Sequence, residues 1–302
     1  MHGLLLIDKP AGMTSHDVVR RVRRICATRK VGHAGTLDPL ATGVLPVAVG
    51  EGTKLLQFLL AADKSYRATL RLGVTTDTLD AEGEVLSRTD PPADALSRLP
   101  ELLARFRGDI EQVPPMYSAL KRNGVPLYRL ARAGQSVERE PRRVHIARLE
   151  LIEADLPELT IEVDCSKGTY IRSLCADLGQ NLGCGAHLTA LRRTRSGRFG
   201  EECCIPLDEL ENPQRAHEVG ALLSMDEALV DFPAFELQEE AVARLKNGVP
   251  PQCGECAAAI EVAEDDLVRL VGNGRLLAMA RFAPRRSRER RSDFELLRVF
   301  NL

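Results

Sequence analysis

Apolar positions recur along this chain with two periods, and the elements change where the period changes. Leu4-Leu5-Leu6-Ile7 is an unbroken apolar run that stops at Asp8-Lys9-Pro10-Ala11-Gly12, which predicts a short strand ended by a turn. Thr14-Ser15 then supply a helix start, and Val18, Val19, Val22 and Ile25 form a stripe at helical spacing. Residues 44–49 are a second continuous run and predict a buried strand. Thr53 is placed to cap a helix carrying Leu55, Leu56, Leu59 and Leu60. Residues 66–72 alternate, with Tyr66 on the same face as Ala68, Leu70 and Leu72. A helical stripe follows at Leu96, Leu99, Leu102, Leu103 and Phe106. Residues 144–152 and the alternation Leu159, Ile161, Val163 predict strands. Ile171, Leu174, Cys175, Leu178 and Leu182 predict a helix ending at Gly183-Cys184-Gly185.

Two stretches break this rhythm. From Val113 to Arg143 the chain loses its period around Pro114-Pro115-Met116-Tyr117-Ser118-Ala119-Leu120-Lys121. It forms a short helix at 127–131 and then runs polar and basic over 134–143. Excursions of this length from a compact core are usually functional, although a tolerated surface insertion has the same appearance. From Ile205 the chain is punctuated by Pro206, Pro213 and Pro233, and a new pattern begins near Phe235. A helix over 239–246 with an Asn247-Gly248 stop precedes β-like runs at 258–262, 267–271, 276–282 and 296–300. That order reads as a small β-rich domain at 233–302 behind a larger domain at 1–232, in which strands and helices mix as α+β.

Composition places the chain among ordinary globular proteins, with 44% hydrophobic and 28% charged residues. Its net charge of −2 excludes nothing, because the charge is segregated. Residues 20–30 hold six basic groups and no acid; Arg192, Arg193, Arg195 and Arg198 cluster without an acid; residues 281–291 hold six arginines against Glu289. Acid collects at 77–84 and 261–266. Such blocks can make a basic surface for nucleic acid on a nearly neutral protein. No run is long enough to span a membrane, and residues 4–7 are too short for a signal-peptide core, so a cytoplasmic protein with reduced cysteines is expected. Cys253-Gly-Glu-Cys256 is a single C-x-x-C pair, short of the four ligands of a structural zinc site, so no metal is expected.

Candidate chemistry centres on Val31-Gly32-His33-Ala34-Gly35-Thr36-Leu37-Asp38-Pro39-Leu40-Ala41-Thr42-Gly43-Val44. Pro39 biases Asp38 away from the α region, and three glycines permit close approaches. One carboxylate is thereby held on an ordered loop that feeds into a core strand, where an Asp-Pro turn is the plain alternative. Downstream, Arg172 stands in the first turn of a helix after Ser166-Lys167-Gly168-Thr169, where its charge opposes the helix dipole. That placement suggests an anionic partner, with a solvated arginine as the plain alternative.

Taken in order, these stretches resemble the TruB-type family of pseudouridine synthases. The resemblance is carried by Asp8-Lys9-Pro10-x-Gly12-x-Thr14-Ser15, by residues 32–43, by Lys64-Ser65-Tyr66-Arg67 and by residues 113–121. It continues through Cys165-Ser166-Lys167-Gly168-Thr169-Tyr170-Ile171-Arg172, residues 182–188 and Leu191-Arg192-Arg193. Residues 233–302 resemble, more weakly, the PUA-type RNA-binding domain of that family. The resemblance implies a mixed, largely antiparallel central sheet flanked by helices. It implies isomerisation of uridine to pseudouridine in the tRNA T-arm at position 55, with no cofactor, metal or obligate protein partner. Asp38 matches the essential aspartate, Arg172 the arginine paired with it, and Tyr66 the tyrosine packed on the base and proposed to act in deprotonation at C5. His33 matches the residue that fills the space left by the flipped base, with loop packing as its plain alternative. Gly35, Thr36, Leu37, Tyr170, Lys9, Lys121, Arg192 and Arg193 are implied substrate contacts, and the excursion at 114–143 an RNA-gripping insert. A guide-RNA-dependent synthase and a non-catalytic RNA-binding or tRNA-folding protein on the same scaffold are the alternatives.

Overall fold

The computed structural model describes residues 1–211, 222–258, 260–284 and 292–300. Among them an 11-stranded mixed sheet dominates. Its centre is built by Gly3–Lys9, Thr42–Val49, Ala186–Ser196, Lys64–Leu72, Glu158–Cys165, Arg142–Asp155 and Gly108–Gln112, neighbours in that order. Most pairings are antiparallel; Ala186–Ser196 runs parallel to Thr42–Val49 through Arg192 opposite Thr42 and Arg193 opposite Gly43.

The continuous apolar runs have a direct cause. Leu5 and Ile7 enter one core cluster while Leu4 and Leu6 enter another on the opposite face. Leu45, Val47 and Val49 divide from Val44 and Ala48 in the same way. A strand covered on both sides has no polar face, so it cannot alternate. Helices Ser15–Ile25, Ala95–Arg105 and Ile171–Leu182 cover the first face with their apolar stripes. Thr14 caps the first of them in a capping box with Asp17.

A separate four-stranded sheet, Ala234–Glu236, Leu267–Gly272, Arg275–Phe282 and Phe294–Val299, carries helix Glu239–Lys246. Phe235, Leu245, Leu270 and Phe294 form its own core. Val271, Leu276, Met279 and Phe300 pack instead with Leu4, Leu6 and Leu55, so the small sheet shares a core with the large one.

Three local expectations are corrected. Residues 50–59 form a 3-10 segment, Gly50–Leu55, then one α turn, Leu56–Leu59; Thr53 lies inside the former and bonds back to Gly50 O at 2.8 Å rather than capping a helix. The run at 258–262 forms no strand among its described residues. The basic helix 15–25 is less bare than its sequence suggested: Arg20 meets Asp17, and Arg21 meets Asp208 and Glu211. Of the cluster at 281–291, the arginines 285, 286, 288, 290 and 291 lie outside the described residues.

Candidate active site

Asp38 is carried on a loop fixed from below. The Ser15 hydroxyl accepts from Leu37 N at 2.8 Å and donates to Leu37 O at 3.2 Å, so the start of the first helix clamps the residue before the carboxylate. On its other side Pro39 O accepts from Gly12 N at 2.8 Å and from Lys9 Nζ at 3.3 Å. Gly43 closes the loop at φ +98°, where an added Cβ would lie 2.2 Å from Arg193 O; only glycine lets the two strands meet there.

Helix Ile171–Leu182 brings Arg172 to that carboxylate, Nε to Asp38 Oδ2 at 2.9 Å. Gln112 fixes the approach by accepting from Tyr170 N at 2.7 Å and donating to Tyr170 O at 3.0 Å. Arg172 is almost wholly buried and has a second carboxylate partner, Asp80, at 3.2 Å, with the Tyr117 and Thr78 carbonyls accepting at 2.7 and 3.0 Å. Every face of the guanidinium is thus occupied, and its charge is shared between two carboxylates. Burial pushes the Asp38 carboxyl above the usual carboxylate range; Arg172 pulls it back, and Asp80 adds to the rise.

Above this pair lies a cleft of about 250 Å³ lined by Gly35, Thr36, Leu37, Asp38, Tyr66, Ser118, Tyr170, Arg172, Leu191 and Arg193, among others. It has room for one heterocyclic base and places a carboxylate, an aromatic ring and apolar walls around it. Burial raises the phenols of both Tyr66 and Tyr170.

The remaining candidates take other parts. Lys9 is fully buried, and its amine donates to the carbonyls of Pro10 (2.8 Å), Met13 (2.6 Å) and Pro39. It ties the loop and cannot reach a phosphate, which corrects its reading as a substrate contact. Burial lowers that amine to about 8, with Asp38 opposing. Arg193, only 1% exposed, likewise cannot grip the RNA backbone. Arg192 is engaged by Asp8 at 2.9 Å and by Glu201, outside the cleft. Lys121 sits exposed on the small hairpin of Lys121–Arg122 with Val125–Pro126, within the excursion. His33 is half-buried, and among the described residues its Nδ1 has no hydrogen-bond partner.

Asp80 is the residue that sequence reasoning missed. It belongs to the acidic stretch 77–84, between the paired strands Val74–Thr76 and Val85–Arg88, and nothing in the sequence sets it apart from its acidic neighbours. Among the described residues no cluster of three or more His, Cys, Asp or Glu side chains could hold a metal ion.

Comparison with known proteins agrees with this geometry. Residues 23–171 match the model of the TruB family pseudouridylate synthase N-terminal domain, and residues 172–230 match that of the tRNA pseudouridylate synthase B C-terminal domain. The chain is 51% identical over 301 residues to tRNA pseudouridine synthase B of Syntrophotalea carbinolica, covering 100% of this chain and 98% of that protein. It is 50% identical over 289 residues to the protein of the same name from Stutzerimonas stutzeri, covering 94% of each. Among solved structures, a chain from an H/ACA RNP bound to a substrate RNA containing 2'-deoxyuridine superposes with TM-score 0.75 at 28% identity, over 99% of this chain and 85% of that one. A chain of a Cbf5-Nop10-Gar1 complex gives 0.74 at 30% identity, over 99% and 84%. The mixed sheet, the clamped Asp38 loop and these matches along the full length have one reading, and the chain belongs to the TruB family of pseudouridylate synthases.

Proposed function

We propose that this protein isomerises uridine to pseudouridine in the T-arm of tRNA, at position 55. The observation that carries the reading is the Asp38–Arg172 pair at 2.9 Å on the floor of a base-sized cleft that Tyr66 also lines. A carboxylate whose charge a buried guanidinium supports against the cost of burial, and which is partly open to the cleft, is poised to act on a flipped nucleoside as nucleophile or base. Tyr66 packs on the base and accepts the C5 proton late in the reaction. A uridine inside a folded loop reaches such a floor only when flipped out, at a cost of a few kcal/mol that RNA contacts offset. We assign those contacts to the basic face around Arg20, Arg23 and Arg24, to the excursion at 114–143 and to the PUA-like region 233–302, with His33 filling the space the base leaves. The isomerisation has no net redox or hydrolytic step, so the reading calls for no cofactor. We take the cytoplasm, where tRNA is processed, as its place of work.

A guide-RNA-dependent reading draws on the superposition with the H/ACA RNP chain. It is weaker, because the relatives at about half identity are named tRNA pseudouridine synthase B. Incubating the purified chain with unmodified tRNA, without guide RNA or other proteins, separates the two. Carbodiimide-dependent primer extension should then stop at the T-arm uridine; no stop in that assay rejects the stand-alone reading.

A further inference from the structure

Arg193 is among the largest fully buried side chains in the protein, and among the described residues it has no carboxylate partner. A guanidinium withdrawn from water without a counter-charge is costly, so what it touches is informative. Its Nε donates to Val44 O at 2.7 Å and one terminal nitrogen to Gly35 O at 3.2 Å, which ties it to both ends of the Asp38 loop. The sheet register sets it directly opposite Tyr66 across the antiparallel pair, so both side chains leave the same face and both line the cleft. Burial raises the Tyr66 phenol, and the Arg193 guanidinium, facing it from the same cleft, works against that rise. The neighbouring charges that it feels include Lys9, Lys64 and His33, none of which supplies an anion.

We propose that Arg193 is a positioning residue for the proton acceptor: it holds the Tyr66 oxygen at the cleft and stabilises the phenolate that takes the C5 proton. This rests on the pseudouridine synthase reading. After C5 has bonded to C1′, the ring carries a C5–H bond and an N1=C6 double bond. The C5–H bond breaks and its proton passes to the Tyr66 oxygen. Its electron pair becomes the C5=C6 double bond, and the N1=C6 pair moves onto N1. N1 takes a proton from water, and the Tyr66 phenol returns one to water, so atoms and electrons balance. A buried cation with no carboxylate of its own suits this role, because its only demand for negative charge is met when Tyr66 ionises. Arg172, saturated by two carboxylates, could not do the same.

The test uses the full chain and tRNA transcripts made with ordinary or 5-deuterated uridine, under single turnover, with Arg193→Gln and Arg193→Lys. If Arg193 serves the C5 step, R193Q slows conversion about a hundredfold with tRNA affinity within about threefold. Its deuterium isotope effect rises clearly above the wild-type value, R193K recovers part of the rate, and R193Q added to Tyr66→Phe costs little more. An R193Q that is slow with the wild-type isotope effect, or as fast as wild type, overturns the proposal. Should R193Q fail to fold, R193K decides alone: a raised isotope effect supports the proposal and an unchanged one overturns it. A wild-type chain that converts no uridine rejects the functional reading itself, a separate result from normal conversion with an unaltered isotope effect in the variants.

Discussion

Asp80→Asn probes the arrangement on which the site depends. Asp80 is almost wholly buried, accepts from the Thr78 hydroxyl at 2.5 Å and from Glu82 N at 3.1 Å, and faces Arg172 at 3.2 Å. Removing one partner from a buried ion pair costs roughly 3–5 kcal/mol. Here Asn keeps an oxygen toward the guanidinium, and Asp38 stays at 2.9 Å, so we expect a loss of about 2 kcal/mol in urea unfolding. If the same loss is felt in the transition state, kcat falls about thirtyfold at 1.4 kcal/mol per decade. The pH profile should move in the opposite sense to the damage. Asp38 acts as a carboxylate, so activity is lost as pH falls through its raised pKa, and Asp80 contributes to that rise. Without the Asp80 charge Asp38 ionises more easily, and the acidic limb of kcat/KM shifts to lower pH. Urea titrations and single-turnover rates between pH 5 and pH 8 check both. Unchanged stability together with unchanged kcat, or a limb that moves upward, refutes the idea that two carboxylates share Arg172.

Lys9→Met should loosen the Asp38 loop, lowering kcat more than it weakens tRNA binding; rates and affinities measured together check this. The folded pKa of Lys9 is depressed to about 8, so the unfolded chain binds more protons between there and the ordinary lysine value. Wild type therefore gains stability relative to Lys9→Met as pH rises through that window, by up to about 3 kcal/mol, and a constant difference in unfolding free energy would contradict the burial argument. Raising salt should cut tRNA affinity steeply, because each released phosphate counterion adds to the slope. A flat salt response in filter binding would remove the basic face around Arg20, Arg23 and Arg24 from the account.

The central elements were readable because their residues carry the pattern locally. Leu4 to Ile7 and Val44 to Val49 are apolar at every position except Pro46 since both faces of the sheet are covered. Ile171 to Leu182 keeps helical spacing to its glycine stop. The strand Ala186–Ser196 shows no strand pattern in the sequence, because bulges at Leu188/Ala190 and Arg193/Arg195 shift the two-residue alternation twice. Asp38 and Arg172 were legible through motif resemblance, since 134 positions separate them and no local rule joins them. Lys9 and Arg193 read as substrate contacts because a positive charge in a motif says nothing of which way it faces; burial is settled by the sheet. Asp80 was invisible for the same reason, one acid among several in a polar hairpin, turned inward by the hydrogen bonds of the loop and by Arg172. The small sheet's shared core with the large one was equally hidden, because apolar residues on Leu267–Gly272 and Arg275–Phe282 carry no mark of which sheet they will meet.

The most direct measurement compares wild type with Asp38→Asn on an unmodified tRNA transcript, mapping pseudouridine by carbodiimide-dependent primer extension and measuring affinity in parallel. An Asn amide cannot serve as nucleophile or base, so the account predicts a stop at the T-arm uridine for wild type and none for the variant, with tRNA binding retained within about tenfold. A variant that still places pseudouridine at that uridine would contradict the claim that Asp38 performs the reaction.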